Sequence, residues 1–461
     1  MSATPAAKEG ADDVTAARGR SLDEGVLAGF VQLIRNAGFV FVVQVVGAGF
    51  AYAVQVLLAR FLGASHYGVY AYLIIWVGFA ALLAGLGLPA ASIRFLPVYK
   101  ARGDWPRIHG FMRTITRATF ATALAMAVLA CGVALLLHSS GELGHPSTVL
   151  LGALLVPAFA GSMLYTEVAR SDHRVNVAYV PPLVARPALI ALGVTALYVS
   201  RGSLSTSAAI VVTLVSAYLV LLVQLVLTRR LFVGPAAGER PALERREWLG
   251  VGVTLLAAGA FAVTLFQVDI VIVGAMLGSR DAGYYAAASK TASLVSFVIM
   301  AVNAAATPHF ASLWAAGRVD ELQRLVTKLA GLIFWPSLAI AAGIAALSGP
   351  LLDLFGPGFS AAQSSLLVLL VGQVINAAAG SVGYLLTLTG HHREATWALG
   401  LSSVVCIALA VAGVLAFGLV GAAIGSSVGF LIWNGSLYWL VHRKLGIHAS
   451  FLTARRVAKH A

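Results

Sequence analysis

Arg186 sits in the segment YVPPLVARPAL, near the middle of an apolar run spanning about residues 178–199. A charge placed there costs about 3 kcal/mol or more in a bilayer unless it faces a cavity or a partner. Pro181, Pro182 and Pro187 flank it, removing backbone donors and bending or interrupting a helix. Two roles are open: holding an anion with a planar fork of donors, or satisfying freed carbonyls or a buried acid. Asp269 and Lys290 fall at similar depth in two later apolar runs and suit an ion pair. Such a pair is either structural or, if Asp269 titrates, a means of coupling ion movement to a conformational change. Glu167, close to the end of a fourth run, is a second proton site or a surface residue.

Amides form the second group. Gln44 and Gln55 stand 11 residues apart, which returns a helix to nearly the same direction, with Ala48 and Ala51 between them. Lys290, Ser293, Ser296 and Asn303 share a broad helical face, and Gln373, Asn376 and Gly380 mark another. In spans these amides serve as hydrogen-bonding glue or line a polar cavity. No nucleophile, phosphate-loop or metal-ligand motif occurs; His391 and His392 beside Arg393 read as loop surface, so no catalytic residue, metal or cofactor is expected.

The elements that position these groups follow from composition. Of 461 residues, 59% are hydrophobic and 11% charged, with mean hydropathy +0.89, too apolar for a soluble globule. Spanning a hydrocarbon core takes about 20 apolar residues in a helix. About twelve such segments are present: 38–59, 70–92, 117–137, 148–168, 178–199, 207–228, 252–275, 284–306, 326–348, 364–388, 395–417 and 419–441. The fold class is therefore all-α and polytopic. The first 36 residues lack the pattern of a cleaved signal peptide. Ser21–Glu24 resembles a capping box, and Val26, Leu27, Phe30, Val31 and Ile34 recur at the spacing of an interfacial helix. Cys131 and Cys406 lie in spans and are assigned to packing.

Lys and Arg remain on the cytoplasmic side during insertion. Seventeen of them lie in or beside the loops after even-numbered spans, against Arg60, Arg201 and Arg280 after odd-numbered ones. Both termini are thus expected in the cytoplasm. The same bias accounts for the net charge of +13 without nucleic acid as a partner.

The chain also repeats itself. LGASHYGVYA at 62–71 and LGSRDAGYYA at 277–286 both fit LGxxxxGxYA, 215 residues apart, and Arg94-Phe95 precedes His309-Phe310 by the same offset. Six spans separate the copies, so they run in the same direction. That predicts two six-helix lobes, 37–228 and 251–442, joined by a cytoplasmic linker at 229–250, with a tail at 1–36 and a basic tail at 443–461.

The stretches ARFLGASHYGVYAYLIIW, GLPAASIRF and VDIVIVGAMLGSRDAGYYAAASK resemble the openings of the two lobes in bacterial polysaccharide flippases. These are the O-antigen and exopolysaccharide exporters of the multidrug/oligosaccharidyl-lipid/polysaccharide superfamily. The resemblance implies a non-enzymatic transporter in the bacterial inner membrane. It would turn a polyprenyl-diphosphate-linked oligosaccharide from the inner to the outer leaflet by alternating access. Its partners would be that lipid-linked sugar, membrane lipid, and polysaccharide polymerase and chain-length machinery. On this reading Arg186, Lys290 and Arg94 meet the diphosphate. Gln44, Gln55, Asn303, Gln373 and Asn376 contact sugar, and Asp269 and Glu167 couple ions. A multidrug or metabolite exporter driven by H+ or Na+ is the alternative, and a membrane glycosyltransferase or ligase ranks below it. The longest outward loops, about 138–147 and 349–363, offer such an enzyme only Glu142 and Asp353.

Overall fold

A computed structural model describes residues 6–139, 146–229 and 241–451, and these are helical throughout, with no strand among them. The first half of the chain gives α1 (Ala6–Ala84), α2 (Leu88–Ala101), α3 (Trp105–Ser139), α4 (Ser147–Ser171), α5 (Val175–Val180), α6 (Arg186–Arg201) and α7 (Thr206–Thr228). The second half gives α8 (Arg245–Leu277), α9 (Ser279–Ala292), α10 (Ser296–Ala315), α11 (Val319–Ala346) and α12 (Ser348–Asp353). It ends with α13 (Gln363–Ala379), α14 (Val382–Leu388) and α15 (His392–Leu445).

Ten segments among the described residues are long and apolar enough to cross a membrane. Two of them cross twice. In α1 the break is Gly63 (φ 73°), and the Tyr67 hydroxyl then donates back to Gln55 at 2.9 Å, which a straight helix forbids. In α15 the break is Gly418 (φ 59°), which brings Gly413 against Gly421. The result is twelve crossings in two six-helix lobes.

Several predicted spans are interrupted. The second crossing stops at Ala84, and Leu86 (φ 52°) and Gly87 (φ 69°) turn the chain into α2, so 70–92 is not one helix. A Cβ on Gly87 would lie 1.9 Å from the Gly252 carbonyl oxygen, so only glycine allows α2 and α8 this approach. The predicted span 364–388 breaks at Gly380 (φ 71°), and a 3₁₀ turn at Ser293–Val295 divides α9 from α10. The proline cluster produces a π-helical turn, Pro181–Ala185, between α5 and α6. The expected linker at 229–250 is already helical from Arg245; residues 230–240 and 452–461 lie outside the described set. The expected interfacial helix at 21–36 falls on backbone that is one helix with the first crossing; its side chains lie outside the description.

The two copies of LGxxxxGxYA face each other. A Cβ on Gly68 would meet the Ser279 carbonyl oxygen at 1.7 Å and the Gly283 nitrogen at 2.8 Å. A Cβ on Gly283 would meet the Ala64 oxygen at 2.1 Å and the Gly68 nitrogen at 3.2 Å. These are the corresponding second glycines of the repeat, and their contact is reciprocal. Tyrosines that also correspond bond alike within each lobe: Tyr70 Oη to Thr213 Oγ1 at 3.0 Å, and Tyr285 Oη to Ser426 Oγ at 3.5 Å. Phe355 and Phe359, fully buried, come from the loop after α12 and pack on Tyr52, Tyr67 and Tyr284, sealing the lobes on the side of the repeated hinge.

Candidate functional site

Between the lobes lies a chamber of about 850 Å³. Its walls come from the first two crossings, α4, α5, the π turn and the start of α6 in one lobe, and from Leu255, Gly259, Phe297 and Met300 in the other. Most of the lining is apolar, with a few polar groups, as ligand chambers generally are.

Arg186 opens on this chamber. The π turn widens the helix by one residue just before it, and its guanidinium carbon stands 4.8 Å from the centroid of the Phe159 ring. Stacking on an aromatic face holds the cation without consuming its donors. Among the described residues Arg186 makes no hydrogen bond and no ion pair, so it neither caps the carbonyls freed by the prolines nor neutralises an acid.

Glu167, half-buried near the end of α4, also lines the chamber. Arg170 Nη1 donates to both its carboxylate oxygens, at 2.8 and 3.0 Å, and lies over the Tyr179 ring. On α4 the stripe Phe159, Ser162, Met163, Thr166 and Arg170 faces the chamber at helical spacing. Phe159 and Arg170 are thus about 16 Å apart along the axis at 1.5 Å per residue. The chamber therefore holds a deep arginine at Phe159's level and a second one further from the hinge. Arg170, counted in the sequence only toward orientation, was detectable from this stripe.

Gln44 lines the chamber with Gly47, Ala48 and Ala51, and its buried Oε1 has no partner. Gln55, expected on the same stripe, instead accepts from Tyr67 and braces the hinge. Arg94 is exposed on α2 one turn beyond the lining residue Ala90, with its guanidinium over Phe95. It does not line the chamber itself.

The remaining candidates lie in the second lobe and do not line the chamber. Asp269 is buried, its Oδ2 accepting from Tyr285 Oη at 2.9 Å and Ser426 Oγ at 2.8 Å, and its Oδ1 from the Ile270 amide at 2.9 Å. Asp269 and Lys290 form no direct ion pair, correcting the expected salt bridge; the carboxylate is taken up by these three donors. Equal depth on two helices does not make side chains meet, because they leave their helices in different directions. Gln373 accepts from Ser296 at 2.6 Å, and Asn376 from Asn434 at 3.1 Å, so both amides tie helices together. Asn303 is buried and neither side-chain polar atom has a partner.

These bonds predict that exchanging the charges, Asp269→Lys with Lys290→Asp, will not restore stability lost in the single variants. Asp269→Asn keeps an acceptor oxygen and is expected to cost about 1–3 kcal/mol. Thermal unfolding followed by size-exclusion in detergent checks both; recovery in the exchanged double variant would contradict the hydroxyl-bonded geometry.

Comparison with known proteins gives three findings. A family profile described as "Polysaccharide biosynthesis protein" matches residues 33–314. No curated protein matches the chain in sequence. Among solved structures, an inward-facing multidrug resistance MATE family transporter of the MOP superfamily aligns with TM-score 0.69 at 15% identity, covering 87% of this chain and 95% of the other. The outward-facing form of a MATE family transporter aligns at 0.65 and 16%, covering 90% and 98%. The lipid II flippase MurJ in an inward closed conformation aligns at 0.67 and 13%, covering 89% and 87%. The fold is that of these solved transporters.

Proposed function

Because the chain belongs to the polysaccharide biosynthesis protein family, we propose that it flips a polyprenyl-diphosphate-linked oligosaccharide across the bacterial plasma membrane. The observation that carries this reading is Arg186, a mid-span guanidinium with no hydrogen bond or ion pair among the described residues, opening on a chamber between two lobes. A diphosphate supplies the paired oxyanions that such a fork binds. The likeness to a lipid II flippase supports a lipid-linked cargo.

In this mechanism the headgroup enters from the side away from the hinge, the cytoplasmic side if both termini are cytoplasmic. It passes Arg94 and Arg170 and comes to rest on Arg186, while Gln44 offers its free oxygen to a sugar hydroxyl. The lobes then rock about the contact of Gly68 with Gly283, and the product is delivered outside to polymerase and chain-length machinery. Asp269 and Glu167 are the groups through which an ion gradient acts. A chamber of about 850 Å³ suits a diphosphate with a few sugars rather than a polymer. Arg186 disfavours the competing reading, export of a cationic drug, by like-charge repulsion.

The test is reconstitution of the full chain in vesicles with a polyprenyl-diphosphate-linked oligosaccharide, scoring headgroups that become accessible to an impermeant glycosidase. Translocation well above protein-free vesicles is expected. Expulsion of a cationic dye with no movement of the lipid would overturn the proposal in favour of a drug exporter.

A further inference from the structure

Where α2, α3 and α8 meet there is a second opening, of about 510 Å³, separate from the chamber between the lobes. Its lining combines Leu86, Leu88, Leu243 and Leu249 with three guanidinium groups, Arg113 and Arg117 on α3 and Arg245 at the head of α8. Arg113 and Arg117 are four residues apart and share one helical face, where like charges repel unless an anion lies between them.

Two acids at this corner, Asp104 and Glu244, are committed elsewhere, and Glu247, in the first turn of α8, does not line the opening. Arg107 bonds Asp104 at 2.6 Å and Glu244 at 2.8 Å, and Glu244 also accepts from Tyr99 at 3.2 Å. Among the described residues Arg113, Arg117 and Arg245 make no ion pair or hydrogen bond, and all three are exposed. Thr114 adds a hydroxyl to the same wall. Three free planar donor sets over an apolar floor match a phosphate carried on hydrocarbon.

We propose that this pocket binds the phosphate headgroup of an anionic phospholipid of the leaflet on the basic, cytoplasmic side. Arg113 and Arg117 belong to the first lobe and Arg245 to the first helix of the second, so one headgroup ties the two lobes together. The tie lies beside the joint where Gly87 abuts Gly252. The four leucines favour a lipid over a soluble anion, because they offer acyl chains a surface that inorganic phosphate cannot use.

Native mass spectrometry of the delipidated full chain, titrated with phosphatidylglycerol or phosphatidylcholine, tests this. Phosphatidylglycerol is expected to survive detergent exchange and phosphatidylcholine to be lost, a contrast that needs no variant. In Arg113→Gln/Arg117→Gln/Arg245→Gln the affinity for phosphatidylglycerol is expected to fall on the order of 100-fold. Arg324→Gln/Lys328→Gln/Arg443→Gln removes equal charge elsewhere on the same side and is expected to bind as the parent does. Equal losses in the two triple variants would reduce the effect to diffuse surface charge and overturn the proposal. Equal retention of both lipids, or full displacement by equimolar inorganic phosphate, would overturn it too.

Discussion

Arg186→Ala is expected to lower translocation of the lipid-linked oligosaccharide on the order of 100-fold or more while leaving the protein folded in the membrane. Each hydrogen bond to a charged group contributes about 1.5–3 kcal/mol, and a diphosphate takes at least two from one guanidinium. The same change removes a mid-span charge that makes no hydrogen bond or ion pair among the described residues, and relief of that charge offsets the lost stacking on Phe159, so the unfolding temperature is expected to hold or rise. A structural arginine would behave in the opposite way, losing stability together with activity. Arg186→Lys keeps the charge but not the fork, and an intermediate rate is expected. Vesicle translocation and thermal unfolding, measured on the same preparations, separate these cases; unchanged translocation in the alanine variant would remove Arg186 from the cargo site.

The second large effect is expected at the glycine contact. Gly68→Ala places a carbon 1.7 Å from the Ser279 carbonyl oxygen, and Gly283→Ala places one 2.1 Å from that of Ala64. The obstacle in each case is backbone, which cannot rotate aside, so one helix must move away from the other. A loss above the usual range of about 1–3 kcal/mol for overpacking is expected, together with failure to seal the side bearing Phe355 and Phe359. The two changes touch the same contact, so the double variant is expected to lose clearly less than the sum of the singles. Gly78→Ala, where nothing lies within 4 Å, is expected to be neutral or slightly stabilising and serves as the control. Additive losses at 68 and 283 would show that the glycines do not share a contact.

What the sequence disclosed depended on whether a physical demand leaves a trace at a single position. A charge within an apolar run stands out, which is why Arg186 was identifiable before its chamber was. A backbone contact that tolerates only glycine leaves the same residue at the same place in both copies, which is why LGxxxxGxYA was legible at 62–71 and 277–286. Other features depend on direction around a helix. Asp269 and Lys290 match in depth, yet the carboxylate turns to Tyr285 and Ser426, a preference that no spacing encodes. Gln55 differs from Gln44 because the chain folds back at Gly63 and brings Tyr67 to it. The break at Leu86–Gly87 answers to Gly252, far along the chain, and was hidden for that reason. Arg170 was obscured by its neighbours, since a basic residue near a span end already has an explanation in topology.

The reciprocal seating of Gly68 and Gly283 has the form of an isologous interface, in which one patch meets a copy of itself across a two-fold axis. A half-length ancestor bearing a single LGxxxxGxYA turn would satisfy that geometry by dimerising. Joined in one chain, two such halves are free to differ. Leu401, standing 215 residues after Arg186, is exposed and apolar. One half thus carries a guanidinium on the chamber while the other carries a carboxylate clasped by hydroxyls, an asymmetry closed to a symmetric homodimer.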